Sequence, residues 1–327
     1  MSSLHMKSIR ILSLAFCLCT SSFAQASEWP AGKPIKLVVP FSAGGGADII
    51  ARMISNKLSE NIGQKIIIEN RAGAGGSLGT EAALREKADG RTLIYVTNGT
   101  LGTNPALYPN IGYNVQKDIE PVARLTEITL VMAVNPKRIP VKNLKDFLQY
   151  ARSNSKPLTY SSAGNGTTSH LAGVLLSQMT ELPFEHIPYR GGAASMTDML
   201  AGRIDFTIDV APNVLSHVKA QRLTALGLGS PSSDLSSTIK PISEEGVSGY
   251  ELFAWDGIAV KKGTPEAIVK KLAQAIQKTL SDKKVQEALT ARGARPVLST
   301  PEEFTQFVAS EEKKWGELVK SSRTSLD

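Results

Sequence analysis

The sequence predicts an α/β protein of two lobes, each with a mixed, mainly parallel sheet. Runs of β-branched residues alternate with apolar residues at helical spacing, which is typical of α/β folds. The first unit joins a strand at 35–39 to a helix whose apolar residues recur as far as Leu58. A second block, which begins with a helix capped by Asn143, repeats this alternation. Two successive blocks of this kind predict two lobes.

The elements follow in order along the chain. In the first block we expect strands at 35–39, 66–68 and 92–96, and in the second at 158–161, 184–188, 204–208 and 223–228. Two extended apolar runs, 126–134 and 250–260, can cross between the lobes and back, and two crossings predict a hinge. Helical patterns at 265–280, 283–292 and 301–320 need a sheet to pack on, so they are assigned to the first lobe. The predicted division is residues 27–127 with 254–327 for lobe 1, and 128–253 for lobe 2.

The first 26 residues have the pattern of a cleaved signal peptide. Lys7 and Arg10 precede an apolar run at 11–18, and residues 24–26 read Ala-Gln-Ala. The run is too short to span a bilayer. We therefore expect a periplasmic product that starts near Ser27 and has lost both cysteines. Its fold must then rest on a packed core rather than on disulfides.

The net charge of +7 comes from 37 basic and 30 acidic residues. Removal of the leader takes away two basic residues, and 35 − 30 leaves +5. The basic residues are scattered in pairs such as Lys270-Lys271, on helices rich in Glu and Gln, which excludes a nucleic-acid track. We expect a monomer that mildly favours anionic small ligands.

Four predicted strand-to-helix turns are rich in glycine and other small residues. In open α/β sheets such turns gather at the carboxyl ends of the strands, where backbone N–H groups and helix dipoles can hold an anion. Taken singly, each of these sequences could serve only as a tight turn or a helix cap instead of an anion site. Four of them, two per lobe, favour a binding site. They are loop 1 (41–46), loop 2 (71–76), loop 3 (163–167) and loop 4 (190–192).

No catalytic, metal or cofactor motif accompanies these loops. Loop 2 partly resembles a dinucleotide fingerprint, but it lacks the G-x-G-x-x-G spacing, and no phosphate-loop motif occurs. The chain has no G-x-S-x-G elbow, and the three histidines beyond the leader, His170, His186 and His217, have no ligand-pair spacing. The sequence therefore predicts a binding protein without cofactor or metal rather than an enzyme.

Four polar side chains beside the loops each have two possible roles. Asp48 either stabilises the start of its helix or orders loop 1 and meets a ligand. His170 either fixes loop 3 by a hydrogen bond or contacts the ligand. Arg190 is either a surface charge or a bidentate partner of a carboxylate, and Asp209 either caps the following helix or faces the site.

In combination, these motifs resemble the Bug-type solute-binding proteins of tripartite tricarboxylate transporters. The resemblance rests on residues 39–48, 69–76, 164–172 and 188–192, with Trp255 and 301–304 in the tail, and it covers essentially the whole chain beyond the leader. It implies a Venus-flytrap receptor of the type II-like binding-protein fold, which takes a small carboxylate and docks on an integral-membrane permease. Di- and tricarboxylates, acidic amino acids, nicotinate-like compounds and aromatic acids are the implied ligand classes. A sensor component that presents the ligand to a signalling receptor is the alternative function.

The resemblance also assigns site residues. The backbone of loops 1 and 2 would hold the carboxylate, and lobe 2 would face them. Arg190 stands where the family usually has lysine, which keeps the charge but changes its reach. The implied set is Ser42, Ala43, Gly44 and Asp48, then Ala74, Gly75 and Gly76, and from lobe 2 Gly164, Gly166, Thr167, His170, Arg190 and Asp209.

Overall fold

The computed structural model describes residues 29–30, 32–231, 235 and 237–322, so the predicted leader at 1–26 lies outside the described residues. The strands are β1 (Ile35–Val39), β2 (Ile66–Asn70), β3 (Thr92–Thr97), β4 (Ile119–Val134), β5 (Leu158–Ser162), β6 (Phe184–Pro188), β7 (Phe206–Val210), β8 (Thr224–Leu228), β9 (Phe253–Lys261) and β10 (Ala294–Pro296). The α-helices are α1 (Gly46–Ile62), α2 (Ser77–Leu84), α3 (Asn104–Leu107), α4 (Val115–Asp118), α5 (Leu144–Ser153), α6 (Thr168–Thr180), α7 (Gly192–Leu200), α8 (Ala211–Lys219), α9 (Glu266–Leu280), α10 (Lys283–Thr290) and α11 (Pro301–Ser322).

The strands form a mixed sheet with the order β2-β1-β3-β9-β4-β7-β5-β6, and both β8 and β10 also pair with β4. This confirms the predicted two-lobed α/β fold with mixed sheet. Among the nine strand pairings of the described residues, four are parallel, and these lie towards the outside of each lobe. The pairings that involve β4 and β9 are antiparallel. Parallel pairing is therefore less dominant than the sequence predicts, because the crossing strands run against their neighbours.

Strand β4 is shared by the two lobes. Its residues 119–129 pair with β9, whereas 130–134 pair with β7. The strand begins at Ile119, seven positions before the predicted run. The sequence pattern misses these residues because Pro121 and Arg124 interrupt the apolar run. The β4–β9 register shifts at both places. At Pro121 the shift accommodates a residue that cannot donate to the ladder.

The helices bury one face each against this sheet. In α1, Ile50, Ile54 and Leu58 are essentially fully buried, at the spacing that predicts a helix from the sequence. Helix α9 packs against α1, and α11 packs against β4 and a π-helical turn at Gly99–Thr103 that the sequence did not predict. Glu311 of α11 accepts hydrogen bonds from the indole N–H groups of Trp255 and Trp315 at 2.7 and 2.6 Å. In the described part of the chain, no helix combines the length and apolarity needed to cross a bilayer.

Candidate functional site

Loop 1 is held in shape by Asp48, in the first turn of α1. The buried carboxylate accepts hydrogen bonds from the Gly44 N–H at 2.9 Å, from Arg52 Nε at 2.8 Å and from Asn70 Nδ2 at 3.0 Å. Burial alone would raise the pKa of Asp48, but these hydrogen bonds hold that pKa below its ordinary value. The carboxylate therefore stays ionised and ties loop 1 to α1 and to the end of β2.

Loop 2 is a run of left-handed backbone. Gly73, Ala74, Gly75 and Gly76 all have positive φ, and Ala74 is one of the few non-glycine residues of the described chain with this geometry. Glycine adopts such angles without steric cost. The side-chain amide of the buried Asn104 fixes the loop by donating to the Gly75 carbonyl at 3.0 Å. The result, at the start of α2, is a surface of backbone in which Ala74 contributes only a methyl group.

Loop 3 is held by side chains of its own lobe. Thr167 Oγ1 donates to the Gly164 carbonyl at 2.6 Å, and the Gly166 N–H donates to His170 Nδ1 at 3.2 Å. His170 thus makes the loop-fixing hydrogen bond that its position suggests. Its ring stacks on that of His186 at a centroid distance of 4.1 Å. Burial lowers the pKa of His170 to about 4 and that of His186 to about 3, so both rings are neutral near pH 7.

Loop 4 lies against loop 1 and shapes the start of α7. Gly191 has φ +118, and a Cβ there would lie 2.3 Å from Ser42 Oγ. That hydroxyl oxygen is buried and, within the described residues, has no hydrogen-bond partner. Asn213 holds the loop from the lobe 2 side by donating to the Gly192 carbonyl at 3.0 Å and to Asp209 Oδ2 at 2.6 Å.

The two lobes touch one another through these loops. Thr168 Oγ1 in lobe 2 donates to Asn98 Oδ1 in lobe 1 at 2.8 Å, and the Tyr108 hydroxyl donates to the Asn165 carbonyl at 3.3 Å. A Cβ at Gly75 would lie only 2.2 Å from that same carbonyl oxygen. Loops 2 and 3 are therefore in close contact.

Two adjoining cavities lie between the lobes. The inner cavity has a volume of about 70 Å³ and is reached by the first residues of α1, α6 and α7. The outer cavity has a volume of about 200 Å³ and is bounded by loop 2, loop 3 and the exposed side chain of Arg190. Phe41 and Ala163 line both cavities, so they mark the boundary between them.

The predicted site residues divide into four groups around these cavities. Thr167 and Asp209 line the inner cavity, and Ala74, Gly75, Gly76, Gly164 and Arg190 line the outer one. Ala43 and Gly44 are exposed on loop 1. Ser42, Asp48, Gly166 and His170 stand behind the cavity walls, where they shape the loops.

The inner cavity also has polar residues that the sequence did not single out. Asn98 follows β3 directly, so the rule that ligands meet the carboxyl ends of strands could have found it. Asp256 is the one acidic residue of the mainly apolar strand β9, and that is its only signal in the sequence. Its carboxylate accepts hydrogen bonds from Thr126 Oγ1 at 2.6 Å and from the Tyr95 hydroxyl.

Both acidic residues of the inner cavity are buried, and within the described part of the chain no cation lies at hydrogen-bond distance from either. Burial raises the pKa of Asp209, against the lowering effect of hydrogen bonds from Asn213 and the Val210 N–H. Burial likewise raises the pKa of Asp256 to about 6. The lining residues of this cavity include no lysine and no arginine. Among the described residues, no group of three His, Cys, Asp or Glu side chains is arranged as a metal site.

Most of the chain matches one known protein family. Residues 50–323 match the Tripartite tricarboxylate transporter family receptor, TctC. Protein BugT of Bordetella pertussis, strain Tohama I, is 32% identical over 305 residues, which cover 92% of each chain.

Two solved structures from R. palustris were determined with a carboxylate. Rpa4515 with adipate has a TM-score of 0.87 at 31% identity and covers 91% of this chain and 99% of its own. MatC (Rpa3494) with bound malate has a TM-score of 0.81 at 31% identity and covers 88% of this chain and 98% of its own.

Proposed function

Since this chain belongs to the tripartite tricarboxylate transporter family receptors, we propose that it is an extracytoplasmic solute receptor for a small carboxylate. In this proposal the solute binds between the lobes and is delivered to a membrane permease. The observation that carries it is the meeting of four glycine-lined helix starts around two adjoining cavities. Backbone N–H groups and helix dipoles at such starts stabilise anions. The adipate and malate of the related structures support the same ligand class.

We propose distinct roles for the site residues. Loop 2 and Arg190 supply the outer wall, where an ionised carboxylate has both backbone donors and a guanidinium within the same cavity. Thr167 and Asp209 belong to the inner wall. Ser42, Asp48, Gly166 and His170, with Ala43 and Gly44 at the loop 1 surface, set the loop shapes that bring the backbone to the ligand.

The lobe division and cellular location belong to the same proposal. Lobe 1 comprises residues 27–127 and 254–327 and lobe 2 comprises 128–253, with the hinge where β4 passes between them. Binding favours closure because only the closed arrangement contacts the ligand from both sides. A leader at 1–26 sends the protein to the periplasm, where it acts as a monomer. Light scattering on a size-exclusion column checks the last point.

Binding is tested with protein of residues 27–327 and a panel of malate, adipate, citrate, aspartate, nicotinate and benzoate. We expect at least one of them to raise the melting temperature and to reduce the radius of gyration measured by X-ray scattering. At a ligand concentration of 100 times the dissociation constant, linkage predicts about 2.7 kcal/mol of stabilisation, or several degrees. If no acid of a broad panel changes either quantity, the proposal is wrong.

Delivery to a permease is tested separately in cells. Deletion of the gene should abolish uptake of the radiolabelled solute identified by the binding assay, and reintroduction of the gene should restore it. Normal uptake together with a lost transcriptional response to the solute would instead indicate a sensor component.

A further inference from the structure

The inner cavity has an unusual wall for a receptor of anions. It holds two buried carboxyl groups, Asp209 from lobe 2 and Asp256 from lobe 1, which are 2% and 1% exposed. Their hydrogen-bond partners are neutral donors: Asn213 and the Val210 N–H for Asp209, and Thr126 and Tyr95 for Asp256. The cation nearest to Asp256 on β4 is Arg124, which pairs with Glu127 and lies over the Phe307 ring.

These resident carboxyl groups occupy the place that a second ligand carboxylate would need. The positive ends of α1, α6 and α7 meet at this cavity, and the two acidic side chains, once ionised, supply negative charge there. A further anion in so small a space, beside carboxyl groups that are themselves buried, would face like charges. A neutral or donor group on the ligand avoids that repulsion.

Among the described residues, the side-chain amide of Asn98 is a donor without a hydrogen-bond partner. Its side chain is 1% exposed and lines the inner cavity. The amide is oriented across the lobes, because Oδ1 accepts the hydrogen bond from Thr168 Oγ1 at 2.8 Å. Within the described residues Nδ2 has no hydrogen-bond partner. A buried donor left unsatisfied is costly, so it favours a ligand with an acceptor oxygen at this point.

From these three side chains, and resting on the proposed function, we infer that the inner cavity selects a hydroxyl group and that the preferred solute is a hydroxycarboxylate with one ionised carboxylate. A hydroxyl oxygen accepts from Asn98, and its proton is donated to Asp209 or Asp256. The carboxylate lies in the outer cavity with loop 2 and Arg190. An ammonium group satisfies the acidic residues but cannot accept from Asn98, and a second carboxylate accepts from Asn98 but is repelled by the acidic residues.

The test compares ligands that share one carboxylate and differ only in the group at the opposite end of the carbon chain. Isothermal titration at pH 8 would use 4-hydroxybutanoate, succinate and 4-aminobutanoate, then 6-hydroxyhexanoate, adipate and 6-aminohexanoate. We expect the hydroxy acid of the better-fitting length to bind at least about tenfold more tightly than its dicarboxylate and its amino acid. A dicarboxylate or an amino acid that binds as tightly overturns the inference but leaves the carboxylate receptor intact. If none of these acids and no acid of the broader panel binds, the proposed function itself fails.

Variants assign the selectivity to the acidic residues. Asp256→Asn and, independently, Asp209→Asn should each shift the affinity ratio of dicarboxylate to hydroxy acid towards the dicarboxylate by about tenfold. Asp205→Asn is the matched control, because Asp205 is also buried but pairs with Arg138 and Thr159 away from both cavities. Circular dichroism confirms that each variant is folded, and two independent sites keep the test decisive if one variant does not fold. An unchanged ratio in a folded cavity variant overturns the assignment.

Discussion

Gly75 lies where loop 2 meets loop 3 of the opposite lobe. It has φ +59, and an added Cβ would be 2.2 Å from the Asn165 carbonyl oxygen. We expect Gly75→Ala to weaken ligand binding by more than about tenfold, because the methyl group blocks closure around the ligand. The left-handed backbone adds only about 1 kcal/mol of lost stability, so the variant should remain folded. Titration calorimetry and a melting curve measure the two effects.

The control for this glycine is Gly63, at the end of α1. It has φ +73, and an added Cβ would meet nothing within 4 Å. Gly63→Ala therefore carries a similar backbone cost without the clash, and its affinity should stay within about twofold of the unmodified protein. Equal losses of affinity in both variants would contradict a steric role for Gly75.

At the scale of the element, β3, β4 and β9 meet at Asp256, which accepts from Tyr95 on β3 and from Thr126 on β4. Burial raises the pKa of this carboxyl from its ordinary value of 3.8 to about 6. The folded state therefore binds a proton between these pH values that the unfolded state does not. The contribution of Asp256 to the free energy of unfolding is therefore largest at low pH. It decreases by about 3 kcal/mol as pH rises from about 4 to about 6.

Asp256→Asn removes this titration from the strand junction. The free energy of unfolding of the unmodified protein minus that of the variant should fall by about 3 kcal/mol between pH 4 and pH 7.5, measured by urea unfolding. Tyr95 and Arg124 face this carboxyl. The lowered pKa values of His170 and His186 decrease the free energy of unfolding as pH falls, which is the opposite trend. Their contributions are common to both proteins and cancel in the difference. A difference that is flat over this range would show that burial does not raise the pKa of Asp256.

The elements also show which parts of the site the sequence can predict. Loops 1 to 4 were predictable because each is a local pattern of strand, small residues and helix. Asp256 was not, because its partners Thr126 and Tyr95 lie 130 and 161 positions away in the chain. The early start of β4 was missed for the related reason that its pairing with β9 outweighs the local disruption by Pro121. The orientation of the Asn98 amide depends on the hydrogen bond from Thr168 of the other lobe, and a contact between lobes leaves no local pattern in the sequence.

For the whole molecule, closure depends on contacts between the lobes, and one of these is the hydrogen bond of 2.8 Å from Thr168 to Asn98. Thr168→Val keeps the side-chain volume but leaves Asn98 Oδ1 without its donor in the closed arrangement. Water can satisfy that oxygen when the lobes open, so the substitution disfavours closure alone. A net loss of about 1 kcal/mol corresponds to roughly fivefold weaker binding.

The measurement combines calorimetry with X-ray scattering. Without ligand, the Thr168→Val protein should have a larger radius of gyration than the unmodified protein, and saturating ligand should restore the closed value. Thr305→Val is the matched control, because its hydroxyl donates only to the Pro301 carbonyl within α11. Unchanged affinity and radius in Thr168→Val would mean that apolar contacts between the loops, such as those around Gly46 and Val210, hold the lobes together without this hydrogen bond. The ligand would then gain its free energy from those contacts, since a ligand shifts the equilibrium only by its differential affinity for the closed state.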